Sequence, residues 1–225
     1  MNAVNLAPIS SFDTSSDSDV KVRRAVKGKN PGIFTDIFLE ETNLVIWQRE
    51  LSVTLLESVD NLLKSNSNFQ ASMTVSAKSV LSSVNGSFND SSQLELSENI
   101  AELVEMFCCL FELKRVGLRL SVLDRAMCPK FHVDKVPCRL ITTFQGACTE
   151  WLPHAAVDRK ELGAGPINQE GLFKNKTDIQ RLHVGDVGLL KGENWQGNEN
   201  AGLVHRSPAL SSGERRLILT LDFSH

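Results

Sequence analysis

Tyrosine is absent from the chain, and so is any run of about eighteen apolar residues of the kind that crosses a bilayer. We therefore predict no transmembrane helix. The start of the chain is rich in Ser, Asp, Lys and Arg without an apolar core region, which argues against an ordinary secretory signal. The five cysteines are odd in number and include no C-x-x-C pair, which disfavours a disulfide framework and a structural zinc site. A reducing, cytoplasmic location is the resulting expectation.

The charge balance is close to neutral, with a formal net charge of −3, 41% hydrophobic residues and 23% charged residues. These values are ordinary for a globular protein. They provide no overall attraction to nucleic acid or to an acidic membrane. A chain of 225 residues is long enough for one substantial domain with an elaborated N-terminal part.

Residues 1–30 are predicted to be a flexible N-terminal tail, because serines and aspartates are followed there by a block of basic residues. The basic cluster at residues 21–29 leaves a second interpretation open, namely contact with nucleic acid or a localisation signal. Its role is not decided by the sequence.

Residues 31–115 are predicted to form a helical and mixed region. Apolar residues recur at helical spacing from about Glu50 to Lys64 and again after Ser97, which we expect to be the N-cap of its helix. Residues 69–75 have the composition of a strand.

From residue 116 to residue 225 the periodicity becomes that of strands. Short apolar runs follow one another with regular turn signals and no helical pattern between them, and the last run covers residues 215–223. This arrangement is typical of a small antiparallel barrel or sandwich. The predicted fold class is therefore α+β, with N-terminal helices packed against a C-terminal barrel.

A histidine and an aspartate stand two residues apart in the strand-like segment 129–136. Strand side chains alternate between faces, so His132 and Asp134 should point the same way and could hold one divalent metal. With His205 they would complete the two-histidine, one-carboxylate triad of non-haem Fe(II) oxygenases, which leaves coordination positions open. The alternative is a strand histidine oriented by a neighbouring aspartate, with His205 as an ordinary strand residue and no metal.

The C-terminal hundred residues resemble the double-stranded β-helix, a jelly-roll or cupin-like barrel, of the Fe(II)/2-oxoglutarate-dependent dioxygenases. The matching features are His132-x-Asp134, Gly185-Asp186 before an apolar strand, His205 followed by Pro208, and Gly213-Glu214-Arg215 before the last strand. The resemblance implies Fe(II) at the triad and 2-oxoglutarate as cosubstrate.

In that superfamily a basic residue about ten positions beyond the distal histidine binds the far carboxylate of 2-oxoglutarate, and here Arg215 stands ten after His205. We expect Arg215 to enter the barrel and Arg216 to face the opposite side. The alternative for Arg215 is a surface ion pair. Two departures from the dioxygenase pattern are Leu217, where many members have serine, and the absence of tyrosine.

A closer resemblance is to a bacterial family of unknown function. Its members carry segments much like residues 128–137, 149–152, 185–193 and 205–208, and the likeness extends from about Asn43 to Phe223. This family implies a fold and no particular reaction.

Two functions remain open at the level of sequence. One is a 2-oxoglutarate-dependent oxygenase that acts on an unidentified substrate. A small molecule is expected, and the sequence shows no strong nucleic-acid signal, but it does not choose among a small molecule, a protein and a nucleic acid. The other is a non-catalytic or hydrolytic protein on the same barrel that uses zinc, because the same triad also binds Zn(II). A metal-free binding barrel is a third interpretation. Glu150 and His154 flank Trp151 and are expected to form a loop salt bridge, with a second polar cluster at the barrel mouth as the alternative. Trp195 either lines a pocket or packs its loop onto the barrel.

Overall fold

The computed structural model describes residues 22–88, 93–163, 169 and 171–224. A seven-stranded sheet runs through these residues in the order β1-β2-β8-β5-β10-β4-β3. Its strands are β1 (Arg24–Gly28), β2 (Thr42–Trp47), β3 (Gln70–Val75), β4 (Val116–Leu123), β5 (Cys138–Gln145), β8 (Val187–Lys191) and β10 (Arg216–Phe223). The β1–β2 pair is parallel, and the other neighbours are antiparallel.

A second sheet has three strands in the order β7-β6-β9. They are β6 (Glu150–Leu152), β7 (Gln180–Arg181) and β9 (Val204–Arg206). Short 3-10 helices at Pro31–Phe38, His154–Ala156, Arg159–Glu161 and Lys176–Asp178 occur in the connections.

Three α-helices cover one face of the large sheet: α1 (Val53–Ser65), α2 (Val80–Ser87) and α3 (Leu94–Leu110). Helix α1 begins where the Ser52 side chain accepts a hydrogen bond from the Leu55 amide, an N-cap contact. Helix α3 begins before the expected cap: Ser97 lies inside its first turn and donates to the Gln93 carbonyl. The buried helix faces pack against the odd-numbered residues of β10 in the main core.

The opposite face of the large sheet meets the three-stranded sheet. Ile46, Ile141 and Ile218 of the large sheet share a second core with Leu203, and Trp151 of β6 packs against it. The protein is thus a mixed α and β fold with helices on one side of the large sheet and a small sheet on the other. Its candidate site lies between the two sheets.

The structure departs from the expected organisation at two points. Residues 24–28, inside the segment predicted to be a tail, form β1 and pair with β2, while residues 1–21 lie outside the described residues. Strands from both sides of residue 115 belong to the same sheet, so the sheet does not divide there. The physical reason is that strand pairing joins segments that are distant in sequence. Strand β2 pairs with β8, and β3 pairs with β4, so both pairs cross residue 115.

No helix within the described part of the chain is both long and apolar enough to cross a membrane.

Candidate metal centre and anion pocket

His132 and His205 are brought together by a backbone pair. The His132 amide donates to the His205 carbonyl at 3.0 Å, and the His205 amide donates back to the His132 carbonyl at 3.0 Å. Residues that exchange both hydrogen bonds place their side chains on the same face. The two imidazole centroids are accordingly 4.6 Å apart. Segment 129–136 is not the regular strand that the sequence predicts: it pairs with β9 through an isolated bridge between His132 and His205.

Backbone carbonyls fix which nitrogen of each ring faces the centre. His132 Nδ1 lies 3.0 Å from the Lys130 carbonyl oxygen, and His205 Nδ1 lies 3.2 Å from the Leu203 carbonyl oxygen. A carbonyl only accepts, so both Nδ1 atoms carry the proton and both Nε2 atoms point to the centre. This is the arrangement that metal-binding histidines usually have.

Asp134 completes the group. Its Oδ1 is 3.7 Å from His132 Nε2, and its Oδ2 is 3.3 Å from His205 Nε2. Burial alone would raise the pKa of Asp134, but the contact with His205 and the charges of His205, Arg139 and His132 outweigh burial and lower that pKa to about 2. Burial, followed by the charge of His205, lowers the pKa of His132. The aspartate is therefore ionised beside an imidazole that favours its neutral form.

A divalent cation suits this donor set. One ligand atom from each of His132, Asp134 and His205 lies within 4.8 Å of the other two. Two imidazole lone pairs and a carboxylate that face one another repel unless a positive charge sits between them, either a ring proton or a metal ion. Two nitrogens and one oxygen are ligands that iron and zinc both accept.

Arg139 fixes the carboxylate of Asp134 by a hydrogen bond. Its Nη1 donates to Asp134 Oδ2 at 2.8 Å, while Nε and Nη2 donate to the two oxygens of Asp222 at 2.7 and 2.8 Å. Arg139 and Asp222 are direct partners across β5 and β10. The carboxylate of Asp134 is thus tied to the middle of the large sheet although its own backbone is irregular. Sequence reasoning did not identify Arg139 or Asp222, because their contact with residue 134 depends on strand pairing.

A second arginine, Arg216, lines the same cavity as His132 and His205. It is 1% exposed and donates to three hydroxyl groups, those of Thr143, Thr149 and Ser207, at distances between 2.7 and 3.1 Å. No carboxylate within the described residues pairs with it. Burial lowers the pKa of Arg216 to about 10.

The expectation for Arg215 needs correction on this point. The structure brings Arg216 into the cavity, and Arg215 instead donates to the Ser67 carbonyl at 2.6 Å. The reason is the alternation of β10, in which the odd-numbered residues Leu217, Leu219 and Leu221 belong to the helix-facing core. The apolar odd positions were a signal in the sequence that the even-numbered residues face the other side.

The floor of the cavity is the face of the large sheet formed by β4, β10 and β5. The cavity opens to solvent at its mouth and has a volume of about 80 Å³. Besides the histidines and Arg216 it is lined by polar and apolar side chains together, among them Arg119, Ser121, Thr220, Arg139, Arg206, Leu123, Met127, Ile141, Ile218 and Cys128.

Glu150 and Trp195, two further residues singled out in the sequence, form ion-pair and packing contacts. Glu150 is buried and forms ion pairs with Arg181 and Arg206, as expected for a salt bridge. Trp195 packs its loop: Lys191 Nζ lies 4.7 Å from the centroid of its ring, the ring contacts Phe38 and Phe111, and it does not line the cavity of the two histidines.

Two solved structures of dioxygenases are similar to this chain. The dioxygenase for auxin oxidation in rice matches with a TM-score of 0.52 at 10% identity, over 90% of this chain and 83% of that chain. The dioxygenase for auxin oxidation 1 from Arabidopsis thaliana, in a binary complex with 2-oxoglutarate, matches with a TM-score of 0.52 at 10% identity, over 91% of this chain and 93% of that chain. At this identity the likeness shows a shared fold.

In sequence, the chain belongs to the family described as "Protein of unknown function (DUF1826)", whose profile matches residues 28–222. That match confirms the closer resemblance seen in the sequence, and it carries no information on a bacterial origin. None of the curated proteins matches the chain.

Proposed function

We propose that this protein is a non-haem Fe(II)- and 2-oxoglutarate-dependent dioxygenase, built on the double-stranded β-helix of that class. The proposal rests on one cavity that is lined by His132, His205 and a buried arginine without an acidic partner among the described residues. The carboxylate of Asp134 lies beside the two histidines and completes the group of candidate metal ligands. The shared fold with a 2-oxoglutarate-bound dioxygenase supports it. With Fe(II) and 2-oxoglutarate bound, the site would direct one atom of O₂ into a substrate and the other into succinate, with release of CO₂.

His132, Asp134 and His205 would hold the metal through Nε2, a carboxylate oxygen and Nε2. The carbonyls of Lys130 and Leu203 keep both rings in the tautomer that this requires. Three protein ligands leave the remaining coordination positions to the cosubstrate and dioxygen.

Arg216 would bind the far carboxylate of 2-oxoglutarate. Its planar guanidinium matches a carboxylate, and a buried cation without an acid is stabilised when an anion enters. The hydroxyls of Thr149 and Ser207 already orient the guanidinium through hydrogen bonds. The position of Arg216 in the cavity, from which its neighbour Arg215 is absent, supports this role for Arg216.

The test begins with metal-free protein, to which Fe(II) and then 2-oxoglutarate are added without oxygen. We expect a weak visible charge-transfer band in the wild type and none in His132→Ala. His183→Ala is the matched control, because His183 has a largely exposed side chain and lies outside the metal cluster. Loss of the band in both variants, or its absence in the wild type, contradicts the proposal.

Zinc is the alternative outcome of the same test. A wild type without the band that retains Zn(II) tightly would indicate a metal-handling or hydrolytic protein on this fold. Cys128 lines the cavity and adds a soft ligand type that favours zinc.

A further inference from the structure

Arg119 lines the cavity and has no role in the proposed reaction. It lies on β4 directly opposite Thr220 of β10, and it lines the same cavity as the two histidines. It is exposed at the mouth. Arg216 is paired across the sheet with Leu123, four residues further along β4, so the two arginines stand about 13 Å apart along the floor.

The other arginines of the cavity already have partners. Arg139 is held by Asp134 and Asp222, Arg206 is paired with Glu150, and Arg216 is bonded to hydroxyls. Arg119 has no hydrogen bond or ion pair within the described residues. The acid nearest to it in the strand register is Asp222, and both of its oxygens are bonded to Arg139.

The charge of the cavity favours an anion beyond the cosubstrate. Among the residues that line it four are arginines and none is acidic. The carboxylates behind the lining, Asp134, Asp222 and Glu150, are each engaged by an arginine. A bound divalent metal adds positive charge, and the far carboxylate of 2-oxoglutarate would engage Arg216. The positive charge of Arg119 then remains without a partner among the described residues. A cleft lined by charges of one sign concentrates the electrostatic potential and attracts ions of the opposite sign.

The surroundings of Arg119 combine hydroxyl groups with an apolar floor. Ser121 and Thr220 occupy neighbouring positions on the same face, and Ile141 lies beyond Thr220 on β5. Ile218 and Met127 extend the apolar lining. A guanidinium beside hydroxyls suits a carboxylate, and the isoleucines suit an apolar body.

We propose that the substrate of this site is a small carboxylic acid with an apolar body, and that Arg119 binds its carboxylate at the cavity mouth. Its apolar part then lies over Ile141 and Ile218 and is directed toward the metal centre. This inference rests on the proposed function and adds the substrate class. Arg119 is accordingly a specificity-determining residue.

The test uses a charged and a neutral probe of the same shape, 3-phenylpropionate and 3-phenylpropanamide. Each is titrated into the anaerobic Fe(II)–2-oxoglutarate complex, and the change in the charge-transfer band gives its dissociation constant. We expect the acid to bind the wild type about ten- to a hundredfold more tightly than the amide, the range for one charged hydrogen-bonding contact. In Arg119→Gln this preference should disappear, and in Arg119→Lys it should return in part.

Arg115→Gln is the matched control, because Arg115 is an exposed arginine that precedes β4 and does not line the cavity. It should keep the wild-type preference. Equal affinities for acid and amide, an unchanged preference in Arg119→Gln, or failure of the acid to bind at millimolar concentration would overturn the inference. Stronger binding of phenyl phosphate than of the acid would overturn the carboxylate assignment. A wild type without the band overturns the proposed function as well, whereas a band with no effect of residue 119 overturns the substrate class alone.

Discussion

Arg216 is unusual at the scale of single residues: its guanidinium is 1% exposed, and among the described residues its hydrogen-bond partners are all hydroxyl groups. Burying a charge without an opposite charge is costly, and the cost falls when an anion binds. Arg216 lines the same cavity as the candidate metal ligands His132 and His205. A binding role for an anion accounts for it better than a role in stability.

We predict that Arg216→Lys weakens 2-oxoglutarate binding by about ten- to a hundredfold, since lysine keeps the charge and loses the planar fork. The measurement is a titration of 2-oxoglutarate into the anaerobic Fe(II) protein, followed by the charge-transfer band. Metal affinity should stay near the wild-type value and shows that the variant is folded.

Arg215→Gln is the control for this prediction. It removes the adjacent arginine, which donates to the Ser67 carbonyl and does not line the cavity. We expect wild-type affinity for 2-oxoglutarate. A loss in Arg215→Gln equal to that in Arg216→Lys would mean that the cosubstrate contact is not specific to Arg216.

At the scale of elements, β5 and β10 position the candidate metal ligand Asp134 through Arg139 and Asp222. Partners of metal ligands typically contribute about ten- to a hundredfold to metal affinity. We predict that Asp222→Asn lowers the affinity for Mn(II) by about tenfold, because Arg139 loses one of the two carboxylates that fix its direction. Isothermal titration calorimetry with Mn(II) measures the change.

Asp124→Asn is a suitable comparison, since Asp124 is largely exposed and follows β4. It should bind Mn(II) as the wild type does. If Asp222→Asn lowers the melting temperature while Mn(II) affinity is unchanged, the Arg139–Asp222 pair is structural and does not position the ligand.

The end of β8 supports the segment that carries Asp134. Gly192 follows β8, and a Cβ there would lie 2.1 Å from the Val136 carbonyl oxygen and 2.7 Å from that of Asp134. We predict that Gly192→Ala displaces this segment, lowers the free energy of unfolding by about 1–3 kcal/mol and weakens Mn(II) binding. Urea unfolding and Mn(II) titration test the two effects.

Gly86→Ala is the matched substitution, because Gly86 lies in α2 and a Cβ there meets nothing within 4 Å. Alanine in a helix should be neutral or stabilising. Unchanged Mn(II) affinity in Gly192→Ala would show that the segment tolerates the displacement.

At the scale of the whole molecule, the site joins distant parts of the chain: segment 129–136, β9 of the small sheet, and β5 and β10 of the large sheet. Ligands that bind the folded state alone stabilise it in proportion to their affinity. We predict that 2-oxoglutarate at about a hundred times its dissociation constant adds about 2.7 kcal/mol, provided that metal is bound. The melting temperature should then rise by about 5–11 °C for a chain of this size.

Thermal unfolding of the wild type and of His132→Ala, each with Mn(II) and with or without 2-oxoglutarate, measures this coupling. The variant should show little or no rise on addition of 2-oxoglutarate. Equal stabilisation of both proteins would separate cosubstrate binding from the metal centre.

The hydrophobic periodicity of the sequence predicts the positions of several helices and strands. Helix α1, strand β3 and the terminal strand β10 occur close to the predicted positions, because each has an apolar face whose spacing is set by local geometry. The spacing of His132 and Asp134, with the distal His205, indicated which side chains meet, and the structure brings them together.

The candidate ligands, the change from helices to strands and the resemblance to the dioxygenases could be predicted from the sequence, since these are properties of local residue patterns. Three features could not be predicted without the folded chain: Arg216 and not Arg215 enters the cavity, residues 24–28 add a strand, and Arg139 links Asp134 to Asp222. Each of these depends on which strand lies beside which and in what register. A shift of one residue reverses every side chain of a strand, and pairing between remote segments sets that register.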